Sequence, residues 1–471
     1  MEETINRYGR QELIEGWNQD KLKRSHIAIV GAGHIGNFLA ADLCALGVGQ
    51  IRLYDDSRAE YSSNKTPYKD REFLISGLSE GKSKVEALEK KLLLINPNSE
   101  CYALQMQFDD ITANLIEKPD ILVTAVNDKD VVKSYWSYCR KNKVPMYCAF
   151  SDINEGYFSL YNPKLPDFSM REQEAINSEI ISGLLASEIL QKIMYNNSID
   201  TLSYKQFINK DFKSKPEKDR LKQKSALVVG AGALGNFLGI GLTHAGIGTI
   251  YLVDDDSIET TNLNRQILFY GSVGKKKVKT LADRLMEINP DVDVKSIEKR
   301  VDENFETHLR RLKPDILIDC VDNLATRAIL NHYAIRNNIP LISGGTDYAA
   351  GQVVVYEKGY SECLNCRLNV DEALLKARAS HSCIHAPTPS VVITNHIIGG
   401  IMASQARIVL DHENYGESSK KTIKYDSTKK ARLGYIGSSD SCNCEREESA
   451  PEWLENLAKK SKEKKNEKVN V

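Results

Sequence analysis

Several features common in other protein classes are missing from this sequence. No apolar run approaches the roughly 18 residues needed to cross a bilayer, and the first 16 residues contain no apolar segment after a basic start. We therefore expect a cytoplasmic protein with neither a membrane span nor a secretory leader. Charge of one sign is also lacking, since 63 basic residues oppose 64 acidic ones and leave a net charge of −1. This balance argues against general electrostatic capture of nucleic acid, so a partner must be recognised by a local patch.

Cysteine is too sparse for a disulfide framework. Ten cysteines in 471 residues, without a secretory context, fit free thiols, a metal site or catalysis better. Two pairs have the close spacing of metal ligands: Cys363 with Cys366, and Cys442 with Cys444. The length itself predicts two or three domains, because domains usually run to about 100–200 residues.

The chain is an internal duplication. The segment IAIVGAGHIGNFLAADLCALGVGQIRLYDDS at 27–57 recurs as LVVGAGALGNFLGIGLTHAGIGTIYLVDDDS at 227–257. The likeness continues through KPDILVTAVND and KPDILIDCVDN, and through a later pair of helix-like segments, IISGLLASEIL and IIGGIMASQARIVL. Two homologous halves are therefore joined in one chain.

Each half opens with a β-branched run, a glycine-rich turn, an apolar segment of helical period and a second strand that ends in acidic residues. This βαβ pattern predicts an α/β fold with two Rossmann-like, doubly wound, mostly parallel sheets. We expect a first domain at 1–200, a polar connector at 201–224, a second domain at 225–445 and a lysine-rich tail at 446–471. The composition of the tail predicts disorder from about residue 453, either as a plain solubilising segment or as a contact for an acidic partner or nucleic acid.

The glycine pattern GAGxxG follows the first strand of each half. Glycine leaves no Cβ between a phosphate and the backbone N–H groups of the following helix, so Gly230, Gly232 and Gly235 are expected to bind a phosphate. The same pattern serves NAD or FAD, with Asp254 on a ribose hydroxyl. By itself it therefore also fits a dinucleotide-dependent oxidoreductase.

The second half adds segments that a redox cofactor does not require: TTNLNRQ at 260–266, GKKKV at 274–278 and DCVDN at 319–323. Adenylation of a carboxylate by ATP does require such residues, because a triphosphate meets an anionic acid and needs cations and a carboxylate for Mg²⁺. Arg265 and Lys277 supply the cations, Asp322 supplies the carboxylate, and Asn262 can donate to a phosphate oxygen. As alternatives, Arg265 forms a surface ion pair and Asp322 caps the helix beginning near Leu324.

The combination GAGALGN, NLNRQ, GxxK and VDN closely resembles the ThiF/ubiquitin-activating superfamily of adenylating enzymes, over about residues 5 to 412. The resemblance implies that Asp254 holds the ATP ribose and that Asp322 ligates Mg²⁺. It further implies that Asn262, Arg265 and Lys277 contact the phosphates.

The first half keeps its glycines, Gly31, Gly33 and Gly36, but departs from this pattern elsewhere. It reads EYSSNKTPY where the second half has TTNLNRQ, and Asn127 replaces Asp322, although Lys84 remains. We therefore predict that the first half does not adenylate and serves architecture and partner binding.

The segment RYGRQ at 7–11 resembles the N-terminal arginine motif that the superfamily extends into the active site of a neighbouring protomer. No such motif precedes the second half. The resemblance therefore implies an internal pseudo-dimer in which Arg7 or Arg10 reaches the ATP bound by the second half. The alternative is that both arginines are surface charges on a frayed terminus.

The two cysteine pairs, Cys363 with Cys366 and Cys442 with Cys444, would satisfy a tetrahedral structural Zn²⁺. The resemblance supports this, since many relatives carry two Cys-x-x-Cys pairs at these places, although the second pair here is the tighter Cys-x-Cys. Free or redox-active thiols are the alternative. Cys383 is separate, and it matches the position where some of these enzymes keep the cysteine that takes the carrier as a thioester. His381 and His385 flank it closely enough to lower its pKa if the loop folds suitably. A dispensable thiol and a metal ligand remain as alternatives.

These observations predict ATP-dependent adenylation of the C-terminal carboxylate of a ubiquitin-like or sulfur-carrier protein that ends in glycine. The acyl adenylate then passes to Cys383 or to a separate conjugating or sulfur-transfer protein. The alternatives are a tRNA nucleoside or a peptide as substrate, and a scaffold that binds a carrier without activating it. We expect no membrane partner and no nucleic acid, and either a monomeric pseudo-dimer or a homodimer.

Overall fold

The computed structural model describes residues 6–59, 72–75, 79–106, 111–152, 156–160, 173–196, 201–204, 220–379, 388–429 and 432–469. The strands are β1 His26–Val30, β2 Gln50–Tyr54, β3 Glu100–Leu104, β4 Ile121–Thr124, β5 Met146–Ser151, β6 Gly156–Leu160, β7 Thr201–Tyr204, β8 Ser225–Val229, β9 Thr249–Val253, β10 Asp293–Ile297, β11 Ile316–Asp319, β12 Leu341–Thr346, β13 Ala350–Tyr356, β14 Thr422–Asp426 and β15 Leu433–Ile436. The α-helices are α1 Gly9–Glu12, α2 Gln19–Arg24, α3 His34–Leu46, α4 Lys84–Ile95, α5 Lys129–Asn142, α6 Ala175–Tyr195, α7 Ala233–Ala245, α8 Lys277–Ile288, α9 Glu306–Leu312, α10 Leu324–Asn337, α11 Leu364–Leu368, α12 Val370–Ala379, α13 Val392–Leu410, α14 His412–Tyr415 and α15 Ala450–Val469.

The strands form two sheets, one in each half. Within the described residues the first has the order β3-β2-β1-β4-β5-β6-β7, and the second has the order β10-β9-β8-β11-β12-β13-β14-β15. In the first sheet, β1 to β5 pair in parallel, and β6 and β7 are added antiparallel. In the second sheet, β8 to β12 pair in parallel, and β13 to β15 are added antiparallel. The predicted α/β class with two doubly wound, mostly parallel sheets is confirmed.

Alternating side chains along the central strands supply three cores. In β1, Ile27 and Ile29 face one core, whereas Ala28 and Val30 face another. In β8, Ala226 and Val228 join the same core as Ile27 and Ile29. Leu227 and Val229 of the same strand face a third core on the other side of the sheet. Since one core contains the inner faces of both sheets, the two halves fold as a pseudo-dimer around a shared centre.

Helices α3 and α6 of the first half pack with α7 and α13 of the second half in this shared layer. Small residues allow the helices to approach closely: a Cβ on Gly399 would lie 2.6 Å from the Cβ of Phe237, and one on Gly183 would lie 2.8 Å from Cγ1 of Ile397. Both glycines belong to the helix-like repeats IISG and IIGG. The two copies of the repeat, in α6 and α13, therefore pack against each other where the two halves meet.

Two predicted domain boundaries differ from the structure. The edge strand β7 (Thr201–Tyr204) pairs with β6, so the first domain extends into the predicted connector. The prediction of disorder from about residue 453 is wrong at the start of the tail, because α15 begins at Ala450 and Trp453 is only 2% exposed. The indole stacks on the ring of His332 at 4.7 Å, and this tertiary contact outweighs the lysine-rich composition that follows.

No helix in the described part of the chain has the length and apolar character required to cross a bilayer.

Candidate nucleotide site

The glycine-rich turn of the second half joins β8 to α7. Gly230 has a φ of 98°, and a Cβ there would lie 2.7 Å from the carbonyl oxygen of Cys320. A Cβ on Gly235 would lie 2.2 Å from the carbonyl oxygen of Gly230. Gly232, at the N-cap of α7, faces more open space, where the nearest atom to a Cβ would be Nε2 of Gln266 at 3.9 Å. Two glycines therefore shape the turn, and the third leaves the helix N-terminus approachable by an anion.

Asp254 ties the end of β9 to this turn. Its Oδ2 accepts a 2.7 Å hydrogen bond from the backbone N–H of Ala231, and its Oδ1 accepts a 2.8 Å bond from the N–H of Asp256. Each oxygen of an ionised carboxylate has a second lone-pair site, so Asp254 can still accept a ribose hydroxyl.

Asn262 lies at the end of a short 3₁₀ helix, Thr260–Asn262, and is buried. Its Oδ1 accepts a 3.0 Å hydrogen bond from the N–H of Glu259, which forms a reciprocal capping box. Because Oδ1 is engaged, Nδ2 is the group with which Asn262 can meet a phosphate oxygen.

Arg265 is half-buried one turn further on. Its Nη1 donates to the carbonyl oxygen of Thr261 at 2.7 Å and to Oδ1 of Asn264 at 2.9 Å. No acidic side chain of the described residues forms an ion pair with Arg265, so the structure does not support the surface-ion-pair alternative.

Arg10 brings a second positive charge from the first half. Its charge lowers the pKa of Arg265, although burial is the larger cause, and the pKa of about 10 leaves Arg265 protonated at neutral pH. The Nη1 of Arg10 donates to the carbonyl oxygen of Thr388 at 3.3 Å, and its carbonyl oxygen accepts a 3.1 Å bond from the N–H of Ser390. Two guanidinium groups that act on each other electrostatically, one of them largely desolvated, favour binding of an anion, although the charge of Glu259 opposes that of Arg10 at Arg265.

Arg7 has a different role. It donates to the carbonyl oxygen of Ile95 at 2.6 Å, to Oδ1 of Asn96 at 2.9 Å and, at 3.4 Å, to the carbonyl oxygen of Leu263. Arg7 is therefore a tether between the halves, and the frayed-terminus alternative does not hold for it.

Lys277 opens helix α8 with its side chain largely buried. Its Nζ donates a 2.6 Å hydrogen bond to the exposed carboxylate of Asp256, and its N–H bonds the carbonyl oxygen of the same residue at 3.1 Å. Lys277 thus lies beside the acidic end of β9, which also carries Asp254.

Asp322 lies in the loop between β11 and α10, and its side chain is exposed. The alternative that it caps α10 is wrong, because Oδ1 of Asn323 accepts the N–H of Thr326 at 2.9 Å and serves as the cap. An exposed carboxylate at this sheet edge fits the oxygen ligands that Mg²⁺ takes, and the ion would keep several waters.

A buried network holds this loop, and the sequence reasoning missed it. Asp319 accepts hydrogen bonds from the N–H of Val321 at 3.0 Å and from Oγ of Ser343 at 2.6 Å. Arg327 forms an ion pair with Asp319 at 3.4 Å and donates to the carbonyl oxygen of Val321 at 2.7 Å. Burial raises the pKa of Asp319, and the charge of Arg327 counters this. The available signal was an acid at the end of an apolar strand followed by an arginine eight residues later.

The sequence profile of the ThiF family matches residues 6–199 and 203–445. The chain belongs to the ThiF family. It is 34% identical over 214 residues to the molybdopterin-synthase adenylyltransferase of Salmonella typhimurium, which covers 44% of this chain and 81% of that protein. It is 32% identical over 174 residues to the ThiS adenylyltransferase of Escherichia coli, which covers 36% of this chain and 68% of that one.

The adenylyltransferase and sulfurtransferase MOCS3-1 of Zea mays is 38% identical over 148 residues, which is 31% of this chain and 31% of the maize protein. The chain thus spans about a third of this relative's length. A crystal structure of E. coli MccB with AMPCPP and MccA aligns with a TM-score of 0.41 at 25% identity, covering 48% of this chain and 67% of MccB.

The first half contains the same glycine-rich turn, but there a side chain occupies the turn. Gly31 has a φ of 101°, and a Cβ on Gly36 would lie 1.9 Å from the carbonyl oxygen of Gly31. The side-chain amide of Gln173 covers the turn, accepting from the N–H of Ile35 at 3.3 Å and donating to the carbonyl oxygen of Ala125 at 2.9 Å. A protein side chain therefore occupies the helix N-terminus that is open in the second half.

The remaining first-half positions also differ. Lys84 pairs with Glu72 at 2.7 Å, and Asn127, half-buried, stands at the position equivalent to Asp322. The segment EYSSNKTPY, predicted to lack the phosphate arginine, lies outside the described residues. That this half does not adenylate stays a prediction.

The four predicted zinc ligands lie together, as the spacing of the two pairs predicted. The sulfur atoms of Cys363, Cys366, Cys442 and Cys444 are all within 4.8 Å of one another. Tetrahedral Zn–S bonds of about 2.3 Å place sulfurs about 3.8 Å apart, so the cluster fits zinc with only small adjustments. The N–H of Cys363 donates to Sγ of Cys442 at 3.1 Å, a contact typical of a thiolate ligand.

Cys383 and its neighbours His381 and His385 lie outside the described residues, so their predicted roles stay predictions. The described flanks end at Ala379 in α12 and resume at Thr388. Both Thr388 and Ser390 bond Arg10, so the chain where the description resumes is anchored at Arg10.

Proposed function

We propose that the second half uses ATP to adenylate the C-terminal carboxylate of a ubiquitin-like or sulfur-carrier protein. The proposal is supported chiefly by the shared contacts of Arg10 and Arg265, which come from opposite halves: Ser390 bonds the backbone of Arg10 and accepts from Asn264, and Asn264 accepts from Arg265. Two cations that act on one another favour a polyphosphate, although the charge of Glu259 partly offsets that of Arg265. The names of the Salmonella and E. coli relatives, a molybdopterin-synthase adenylyltransferase and a ThiS adenylyltransferase, support a carrier protein as the substrate class.

In the proposed complex the turn at Gly230, Gly232 and Gly235 approaches the phosphates, and Asp254 accepts a ribose hydroxyl. Asn262, Arg265 and Lys277 donate to phosphate oxygens. Arg10 adds a charge from the first half, while Arg7 holds the halves together. Lys277 would exchange its bond to Asp256 for a phosphate. Asp322 would hold Mg²⁺, which supplies further neutralisation of phosphate charge.

The chemistry follows from this arrangement of charges. A carboxylate oxygen of the carrier's terminal glycine attacks the α-phosphorus of ATP, the bond to the bridging oxygen breaks, and pyrophosphate leaves with the electron pair. The product is an acyl adenylate. The protein contributes positioning and charge stabilisation, so no side chain has to act as a general base.

For the next step we propose that the thiolate of Cys383 attacks the acyl carbon, which forms a thioester and releases AMP. The position of Cys383 in the sequence, between α12 and the segment that bonds Arg10, supports this assignment. A conjugating or sulfur-transfer protein would then accept the carrier. The four-cysteine zinc cluster would be structural, since it joins α11 to the segment that leads into α15.

Carrier-dependent exchange of labelled pyrophosphate into ATP tests the proposal. We expect exchange with a glycine-terminated carrier from the same source and a loss of at least about 100-fold in the Asp322→Ala variant. Asn127→Ala, at the equivalent place in the first half, is the matched control and is expected to retain exchange. Persistence of exchange in Cys383→Ala would place the thiol after adenylation. An absence of exchange with every such carrier would refute the carrier as substrate and favour a nucleoside or peptide.

A further inference from the structure

A chain of buried side-chain amides connects the phosphate arginine to the first half. Oδ1 of Asn264 accepts from Nη1 of Arg265 at 2.9 Å, and Nδ2 of Asn264 donates to Oε1 of Gln11 at 3.2 Å. Nε2 of Gln11 then donates to the carbonyl oxygen of Leu46 at 2.9 Å and to Oε1 of Gln19 at 2.7 Å. Gln11 and Asn264 are both 0% exposed.

The direction of every hydrogen bond in this chain is fixed. A guanidinium group has only donors, so the oxygen of Asn264 must face Arg265 and its nitrogen must face Gln11. The oxygen of Gln11 must then accept, which leaves its nitrogen to donate to Leu46. The chain ends on a backbone carbonyl near the C-terminus of α3, an acceptor that cannot change its role.

Among the described residues, Asn264 has little other support for its orientation. Its remaining contact from Nδ2 is a 3.5 Å bond to the carbonyl oxygen of Ser390, which is at the limit for a hydrogen bond. Removing Gln11 would leave a buried amide N–H group poorly satisfied, and this costs more than the average hydrogen bond. Rotation of the Asn264 amide would then present its NH₂ group to Arg265, donor against donor.

We propose that Gln11 is a positioning residue for catalysis: acting through Asn264, it orients Arg265 toward the phosphates of ATP. This inference rests on the proposed function, because it takes Arg265 to be a phosphate ligand. The first half thereby contributes more than the charge of Arg10, since it also supports one of the two bonds, to Asn264 and to the carbonyl oxygen of Thr261, that direct the guanidinium group of Arg265. Adjacent residues of the motif RYGRQ, Arg10 and Gln11, serve the same site by different means.

The test is equilibrium binding of the non-hydrolysable analogue α,β-methylene-ATP, with Mg²⁺, by isothermal titration calorimetry on the full chain. Adenosine serves as a ligand without phosphates. Gln11→Met keeps the length and volume of the side chain and removes its hydrogen bonds. It is combined with Arg265→Ala in a double-mutant cycle, and Asn264→Ala provides a second route to the same loss. Ser187→Ala, which removes a buried 2.7 Å bond to Tyr425 across the halves, is the matched control.

We expect Gln11→Met to weaken the ATP analogue about tenfold and adenosine less than twofold. In the Arg265→Ala background the same change should have almost no further effect, because Gln11 acts only through Arg265. Ser187→Ala should bind both ligands as the wild type does.

Additive effects in the double variant would overturn the inference, as would an equal loss of both ligands or no loss of either. Unchanged binding by Arg265→Ala alone would instead refute the phosphate role of Arg265, and with it the proposed function. These measurements need no carrier protein. They therefore test the role of Gln11 even if no carrier is found for the exchange assay.

Discussion

Replacement of Glu179 by glutamine should change how the stability of the protein depends on pH. Glu179 lies in α6, in the layer shared by the two halves, and is 0% exposed. Neither of its carboxyl oxygens has a hydrogen-bond partner among the described protein atoms. It packs on helix backbone, because a Cβ on Gly241 would lie 2.9 Å from Oε2 and one on Gly400 would lie 3.4 Å from Cδ. Burial raises the pKa of Glu179 well above its usual range, and the negative charges of Glu174 and Asp42 raise it further.

The sign of the effect follows from this raised pKa. Above about pH 4.3 an unfolded chain loses the proton of this glutamate, whereas the folded protein keeps it. The contribution of Glu179 to stability is therefore complete below the unfolded pKa and declines as the pH rises toward the folded pKa. The decline is about 1.4 kcal/mol per pH unit within that window. Glutamine has no such proton. The free energy of unfolding of Glu179→Gln, relative to that of the wild type, should therefore rise by about 1.4 kcal/mol for each pH unit in that window.

Urea unfolding at about pH 5.5 and about pH 6.5 measures the difference in free energy of unfolding between variant and wild type. Glu188→Gln is the matched control. Glu188 lies in the same helix and pairs with Arg432 at 2.9 Å, so this variant should be less stable at both pH values, with no growing advantage. A difference between Glu179→Gln and wild type that stays constant with pH would refute the assignment of a protonated carboxyl to the shared layer.

Three further predictions concern the site and its supports. Gly235→Ala should abolish binding of the ATP analogue in calorimetry, because its Cβ would lie 2.2 Å from the carbonyl oxygen of Gly230; tight binding would contradict the structure of the turn. Arg327→Met should lower the free energy of unfolding by about 3–5 kcal/mol, because it leaves Asp319 buried without its cation, and a loss below about 1 kcal/mol in urea unfolding would contradict this role. Cys442→Ser should reduce bound zinc, measured by atomic absorption, from about one ion per chain to well below one, and should lower the melting temperature; an unchanged zinc content would exclude this cluster as the site.

Much of the fold could be predicted from the sequence because it is encoded locally and twice. The β-branched strands, the glycine turns and the acidic strand ends recur about 199 residues apart, and each copy reinforces the assignment of the other. The meeting of the four cysteines was also predictable, since cysteine pairs with one or two residues between them often serve together as metal ligands. The motif RYGRQ, found before the first half alone, indicated that the halves would meet.

The remaining features depend on contacts between distant segments. Nothing in the sequence pairs Gln11 with Asn264, which are 253 residues apart and in different halves. Gln173 likewise gives no local signal that it fills the first glycine turn. Glu179 lies in a helix that looks apolar by composition, and only the packing of the two halves shows that it is enclosed.

The lysine-rich tail shows the opposite error, in which composition misled. Trp453 and its contact with His332 organise the first turns of α15, although the residues that follow are highly charged. A single large aromatic residue can therefore order the beginning of a segment whose average composition predicts disorder.

In the proposed reaction, a carboxylate oxygen of the carrier attacks the α-phosphorus of ATP bound to the second half. The most direct test uses a carrier whose C-terminal carboxylate is labelled with ¹⁸O. The carrier is incubated with the protein and MgATP, hydroxylamine releases the acyl group, and the mass of the AMP is measured by mass spectrometry. We expect AMP that carries one ¹⁸O atom with wild type and with Asn127→Ala, and no labelled AMP with Asp322→Ala. Unlabelled AMP from the wild type, formed in the presence of a carrier that is consumed, would contradict the proposed reaction.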